Sequence, residues 1–233
     1  MRAYILFAAL SLAAPALAGP TVKAKLVADA GGAVHPACRP WLEGVVNGAG
    51  WQLLPAAADP VQADVVLSVK LQVHRRGKRR GAACEVVAFE TPTAARVAAA
   101  AELGRPADAA DSAVDQVCKS VADQLVGQVE RYNAKVAAAG LAFSLTLRYP
   151  PGLSPAPDLS AQRLLKAAGF EVIPRQSTLQ SARLVFRSRR PAAAVREQIE
   201  RLLRSKWSLR RQPPSSIPGN PRILLYLLSA HKE

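Results

Sequence analysis

The fold class predicted for this chain is α+β, a mixed-sheet α/β first domain with two helices on one face followed by a ferredoxin-like second domain. Three observations predict it. Ala63–Val73, ADVVLSVKLQV, alternates apolar and polar residues, and Ala82–Phe89, AACEVVAF, answers it across HRRGKRRG. Asp111–Ala139 carries a single apolar stripe at helical spacing. Beyond Gly140 the elements follow the order strand, helix, strand, strand, helix, strand, the βαββαβ of ferredoxin-like folds.

From the amino terminus, Met1–Ala18 reads as a secretory signal peptide. Arg2 gives the positive start, Ala3–Ala14 the apolar core, and Ala16-Leu17-Ala18 the small-x-small cleavage site before Gly19. The apolar run is shorter than the roughly 20 residues of a membrane-spanning helix, and arginines and prolines interrupt every later apolar run. No cysteine follows the cleavage site, so the expectation is an exported chain without a lipid anchor or a transmembrane segment in its mature form.

The first domain, residues 19–140, begins with a strand over Val22–Ala28. A helix follows within Pro36–Ala49, where Cys38, Trp41, Leu42, Val45 and Val46 recur at helical spacing before Gly48 and Gly50. Trp51–Leu54 is a short strand and Ala56–Pro60 a turn. In the next strand Val65, Leu67, Val69, Leu71 and Val73 share one face. The HRRGKRRG segment reads as a wide hairpin loop, with Arg75, Arg76, Lys78, Arg79 and Arg80 beside Gly77 and Gly81. Such a loop serves either to keep a sheet tip soluble or as a secondary basic contact. Ala94–Leu103 suits both helix and strand; strand is favoured after the Thr91-Pro92-Thr93 turn. In the long helix Val114, Val117, Cys118, Val121, Leu125 and Val129 form the buried stripe, and Gly140 ends it.

The cysteines are Cys38, Cys84 and Cys118. Export places them in an oxidising compartment, where one disulfide and one free thiol, or three buried thiols, are both possible. If one bridge forms, Cys38 with Cys118 is favoured, because both lie on apolar stripes of helices sharing a sheet face. No CxxC spacing occurs and His35, His74 and His231 are scattered, so no metal site or cofactor is expected.

The run ADVVLSVKLQV, preceded by a helix and the GWQLLP strand and closed by the helix AVDQVCKSVADQLVGQVE, resembles the amino-terminal domain of TolB-like, CsgG-like and FlgT-like bacterial envelope proteins. The resemblance covers about residues 21–137. It implies an assembly or scaffold role in the bacterial envelope, and it identifies no functional residue. Export by the leader places the protein in the periplasm, with the extracellular space as the alternative.

The second domain, residues 141–233, opens with the alternating strand Leu141–Tyr149. Asp158 is the expected N-cap of a helix through Ala168. Phe170–Ile173 and Ala182–Ser188 are strands, Pro191 starts a helix with Val195, Ile199, Leu202 and Leu203 buried, Trp207–Arg211 extends, and Arg222–Leu228 is the last strand. The face left open by the helices would show Ser144, Thr146, Arg148, Arg183, Val185 and Arg187. Phe143 and Phe186 fall on the core parity, so the aromatic platform of RNA-binding relatives is missing and no nucleic acid partner is expected.

Charge divides unevenly. Residues 19–140 carry 14 Lys+Arg against 12 Asp+Glu, whereas residues 141–233 carry 16 against 5, mostly arginine. Arginine forks fit phosphate and carboxylate. The anion-binding candidates are therefore Arg148, Arg183, Arg187, Arg189, Arg190, Arg210 and Arg211, with Arg201 and Arg204 nearby. Nucleophile elbows, phosphate loops, zinc-binding helices and dinucleotide fingerprints are absent from the sequence, so no enzyme is expected. Two functions stand ahead of a third, a hydrolase without a recognisable motif. One is an exported, non-enzymatic assembly or scaffold protein contacting other envelope proteins. The other is a binding module for anionic envelope polymers or lipids, with peripheral membrane contact. Amino-terminal sequencing of the protein from its host is expected to start at Gly19; a retained Met1 would rule out the leader.

Overall fold

The computed structural model describes residues 20–29, 33–76, 79–104, 110–212 and 220–230. The expected leader and its cleavage site lie outside these residues. Two five-stranded mixed sheets, each covered by two helices, make an α+β fold.

The first sheet starts with β1 (Lys23–Ala28), which leads through α1 (Arg39–Gly48) to the two-residue β2 (Gln52–Leu53). Then β3 (Val65–Arg76) returns to the other side of β1, and β2, β1 and β3 all run parallel. The antiparallel meander of β3, β4 (Arg79–Glu90) and β5 (Ala95–Leu103) completes the order β2-β1-β3-β4-β5. Val65, Leu67 and Val69 of β3 and Cys84, Val86 and Ala88 of β4 are buried on the helix side. Ala94–Leu103 is a strand because β4 offers a full ladder of partners, and the buried Ala98 and Ala100 leave room for a helix to lie close.

The wide basic loop is corrected. Strands β3 and β4 stay in register through Arg75↔Arg80 and Arg76↔Arg79, so those arginines lie on strands. Arg75 and Arg80 are exposed, and Lys78 lies outside the described residues. Long antiparallel strands keep adding ladder hydrogen bonds, which outweighs a solvated loop once the turn is tight.

The 30-residue α2 (Ala110–Ala139) packs over β4 and β5 and against α1. Trp41 Nε1 donates to Asp115 Oδ1 at 2.7 Å, and Asn133 both accepts from Trp51 Nε1 at 2.5 Å and donates to the Ala49 carbonyl at 2.9 Å. Cys38 at the start of α1 is disulfide-bonded to Cys118 of α2, with Cα atoms 4.9 Å apart across 80 residues of sequence. Cys84 sits buried beside the bridge, and burial pushes its thiol up to about 11, so at neutral pH it is a protonated, unreactive core group.

Gly140 joins α2 to the second sheet with φ +84, and a Cβ there would collide with the backbone of Ser188. Strand β6 (Leu141–Arg148), α3 (Pro157–Ala167), β7 (Val172–Ser177), β8 (Ser181–Ser188), α4 (Ala192–Arg204), β9 (Ser208–Arg211) and β10 (Ile223–Ser229) follow. Asp158 is not the cap: α3 starts on Pro157 after Ala156, and Asp158 in its first turn instead accepts from Ser177 Oγ at 3.1 Å. The sheet order is β7-β8-β6-β10-β9.

The βαββαβ expectation thus gains a strand. Because β9 turns the chain back, β10 runs parallel to β6, whereas the plain ferredoxin-like order would bring an antiparallel strand there. The core contains the Phe143–Phe186 stack, 5.3 Å between centroids, with Val195, Ile199, Leu203 and Trp207. No described helix is long and apolar enough to cross a membrane.

Closing an 80-residue loop should be worth roughly 4.5 kcal/mol in the chain-entropy treatment. The Cys38→Ala/Cys118→Ala variant should therefore lose about that much stability in urea unfolding, taking the chain-entropy treatment at face value. In the parent protein Cys84 should resist alkylation at pH 7 until the chain unfolds.

Candidate functional site

Four of the seven arginines expected to bind anions are committed inside the chain. Arg183 donates through Nε to Ser144 Oγ at 3.2 Å and through Nη2 to the Pro92 carbonyl at 3.1 Å. Arg187 donates to the Gly140 carbonyl at 3.0 Å and to Glu90 Oε1 at 2.6 Å, and its guanidinium lies over the Tyr132 ring. Arg189 donates to the Ala138 carbonyl, and Arg190 to Gln198 Oε1 at 2.6 Å. Arg201 pairs with Glu197 on the surface of α4.

The expectation of an open anion-binding face is corrected accordingly. The alternation placed Ser144, Arg183, Val185 and Arg187 on one face, but the first half of the chain covers that end, burying Ser144 and Val185. Arg148, Arg210 and Arg211 are exposed and have no ion-pair partner among the described residues; Arg148 and Arg210 flank Leu227 in register.

Sequence reasoning did not single out the carboxylates that hold these arginines. Asp64 immediately precedes β3 and Glu90 ends β4 opposite Val65, so both sit at one end of the same hairpin. Asp64 accepts from the backbone amide of Lys23 at 2.8 Å and from Arg222 Nη1, while Asn220 Nδ2 reaches the Ala63 carbonyl at 3.1 Å. Glu90 takes the Tyr132 hydroxyl at 2.8 Å and Arg187 on Oε1, and the Thr93 hydroxyl at 2.8 Å on Oε2. Both carboxylates are almost fully buried, and they are held there by a donor on each of their oxygens, an arginine among them in both cases. Burial first, then Glu90, raises the Tyr132 phenol well above its ordinary range. Burial pulls Arg222 down to about 10, still charged at neutral pH. The available signal was an acid directly before an all-aliphatic strand, since an exposed turn does not need one.

A larger concavity lies elsewhere, a cavity of about 590 Å³ between the carboxyl end of β1, the end of β2 and the start of α1. Here the strand order reverses, β2 lying on one side of β1 and β3 on the other, which is where open α/β sheets leave a crevice. The walls are mostly apolar, from Leu26, Ala28, Val34, Leu53 and Leu54, with Lys25, Asp29, Arg39 and Glu43 as the charged lining. Lys25 Nζ grips the Pro55 and Ala56 carbonyls at 2.5 and 2.6 Å, steering the chain away from β1 after β2. Burial and the nearby Arg39 lower the Lys25 pKa.

In β1 the carbonyls of Val22 and Ala24 accept from the β2 side, whereas Asp29 donates to β3. By the same alternation, Ala28 faces outward where β2 has already ended. Among the described residues no strand pairs with β1 there.

Other edges are guarded. Gln128 of α2 clamps Ala99 of β5, accepting from its amide at 3.0 Å and donating to its carbonyl at 2.7 Å. Strand β7 carries Pro174 and a register shift, and β9 is four residues long with Arg210 and Arg211. These are the usual devices against unwanted strand pairing.

No protein-family model matches the sequence, and no curated protein matches it. Solved structures match part of it. The L103M PelC dodecamer from Paraburkholderia phytofirmans is 14% identical, covers 47% of this chain and 93% of that chain, and has a TM-score of 0.30. A DUF330 protein from Xanthomonas campestris is 16% identical over 52% of this chain and 93% of that one, at 0.31. Lipoprotein GNA1162 from Neisseria meningitidis is 10% identical over 50% and 99%, at 0.26.

Removing one partner of a buried ion pair leaves the other charged and unpaired. Glu90→Leu should cost about 3 kcal/mol or more in chemical denaturation, and the Glu90→Leu/Arg187→Met double variant should recover most of that loss.

Proposed function

We propose that this chain is an exported, non-enzymatic assembly or scaffold protein of the bacterial envelope, working in the periplasm through contacts with other envelope proteins. The observation that carries this reading is the outer edge of β1, which no strand among the described residues pairs with beyond β2, beside a mostly apolar cavity of about 590 Å³, while β5, β7 and β9 are guarded. A free strand edge next to pockets for alternate side chains is the arrangement by which sheets accept an added strand from a partner. The leader-like start, the Cys38–Cys118 bridge suited to an oxidising compartment, and the resemblance of residues 21–137 to TolB-like, CsgG-like and FlgT-like domains support the same reading.

The alternative, a module for anionic envelope polymers on the open face of the second sheet, keeps only Arg148 and Arg210 there, because Arg211 stands opposite the buried Tyr226 and so belongs to the helix side. The other arginines of that face are engaged with the first half.

Photo-cross-linkers placed at Ala28 and at Ala101 of the guarded β5 edge, in cells of the native host, test the assembly reading. Position 28 is expected to trap one or more defined envelope proteins and position 101 none. Ala28→Pro, which removes an outward amide without touching the ladder to β3, should abolish the cross-link from a probe at Leu26. Equal labelling at both edges, or none at either, would overturn the reading.

A further inference from the structure

The geometry points to a second site, a phosphate-type oxyanion pocket at the junction of β5, α2 and β8. A concavity of about 210 Å³ opens there, and four cations line it, Arg96, Arg131, Lys135 and Arg187, with Glu90 as its one acid. Both Glu90 oxygens already accept hydrogen bonds, Oε1 from Tyr132 and Arg187 and Oε2 from Thr93. Arg96, Arg131 and Lys135 are exposed and have no ion-pair partner among the described residues.

Three free cations around one hollow repel each other, and Arg131 and Lys135 do so at like-charged i, i+4 positions of α2. At the same spacing the chain also pairs opposite charges, as Arg39 with Glu43 and Glu197 with Arg201. The like-charged pair Arg131 and Lys135 borders a pocket lined by Tyr132 and Arg187, both hydrogen-bonded to Glu90. Guanidinium forks suit tetrahedral oxyanions, and the volume suits a phosphate group without a large organic body. Nothing here depends on the β1 edge, so the site stands or falls apart from the assembly reading.

The test uses the full mature chain with inorganic phosphate and pyrophosphate as probes in titration calorimetry and thermal shift, against chloride at matched ionic strength. Phosphate should bind and raise the melting temperature. Arg131→Gln and Arg96→Gln, both exposed positions, should each weaken binding by on the order of tenfold, the value of a hydrogen bond to a charged group. Arg148→Gln/Arg210→Gln in the second sheet should leave it unchanged.

Phosphatidylcholine vesicles with and without phosphatidic acid form the second arm. Vesicle binding that free phosphate competes away identifies a lipid headgroup as the source, and phosphate binding without vesicle binding identifies a soluble phosphate. Both support the site. Failure of phosphate, pyrophosphate and vesicles alike, or equal losses from the Arg148/Arg210 control, would show only diffuse surface charge and overturn it.

Discussion

Two carboxylates buried at one end of the β3–β4 hairpin govern the rest of the structure. Asp64 and Glu90 each receive an arginine from the second half of the chain, Arg222 and Arg187. An ionised carboxylate out of water has a desolvation cost that one partner seldom offsets, so each is surrounded by further donors. Lys23 and Arg222 serve Asp64; Tyr132, Thr93 and Arg187 serve Glu90. These donors come from β1, the turn before β10, α2, the β4–β5 turn and β8. Satisfying the two acids therefore sets how the sheets meet.

The covalent path reinforces that arrangement. Gly140 alone connects α2 to β6, its left-handed backbone pressed against Ser188, and Arg187 and Arg189 bind the carbonyls at the end of α2. The Cys38–Cys118 bridge pins α1 to α2 at the other end of the first half. With both ends tied, two surfaces are held in place: a β1 edge that no other strand among the described residues pairs with beyond β2, and a basic hollow at the junction of β5, α2 and β8.

The helix-free face of the second sheet illustrates how burial changes the meaning of a residue. Arginine on an exposed face is a contact group for anions. Directed at a buried acid of the same chain, it becomes part of the core. Among the cations left over, Arg96, Arg131 and Lys135 gather on β5 and α2, within a half whose formal balance is nearly neutral.

Local patterns determined much of this protein. The period-two run Val65–Val73, the stripe Val114–Val129 and the Gly140 stop are properties of neighbouring residues, and they placed β3, α2 and the boundary after it. The apolar stripes around Cys38 and Cys118 also sufficed to bring those cysteines together, because two helices on one sheet face have little choice of neighbour. The HRRGKRRG turn, the extra strand β9 and the fate of Arg183 and Arg187 were decided only by tertiary structure. A ladder partner, a parallel neighbour or a buried carboxylate dozens of residues away fixes each of them, and no short-range periodicity carries that information.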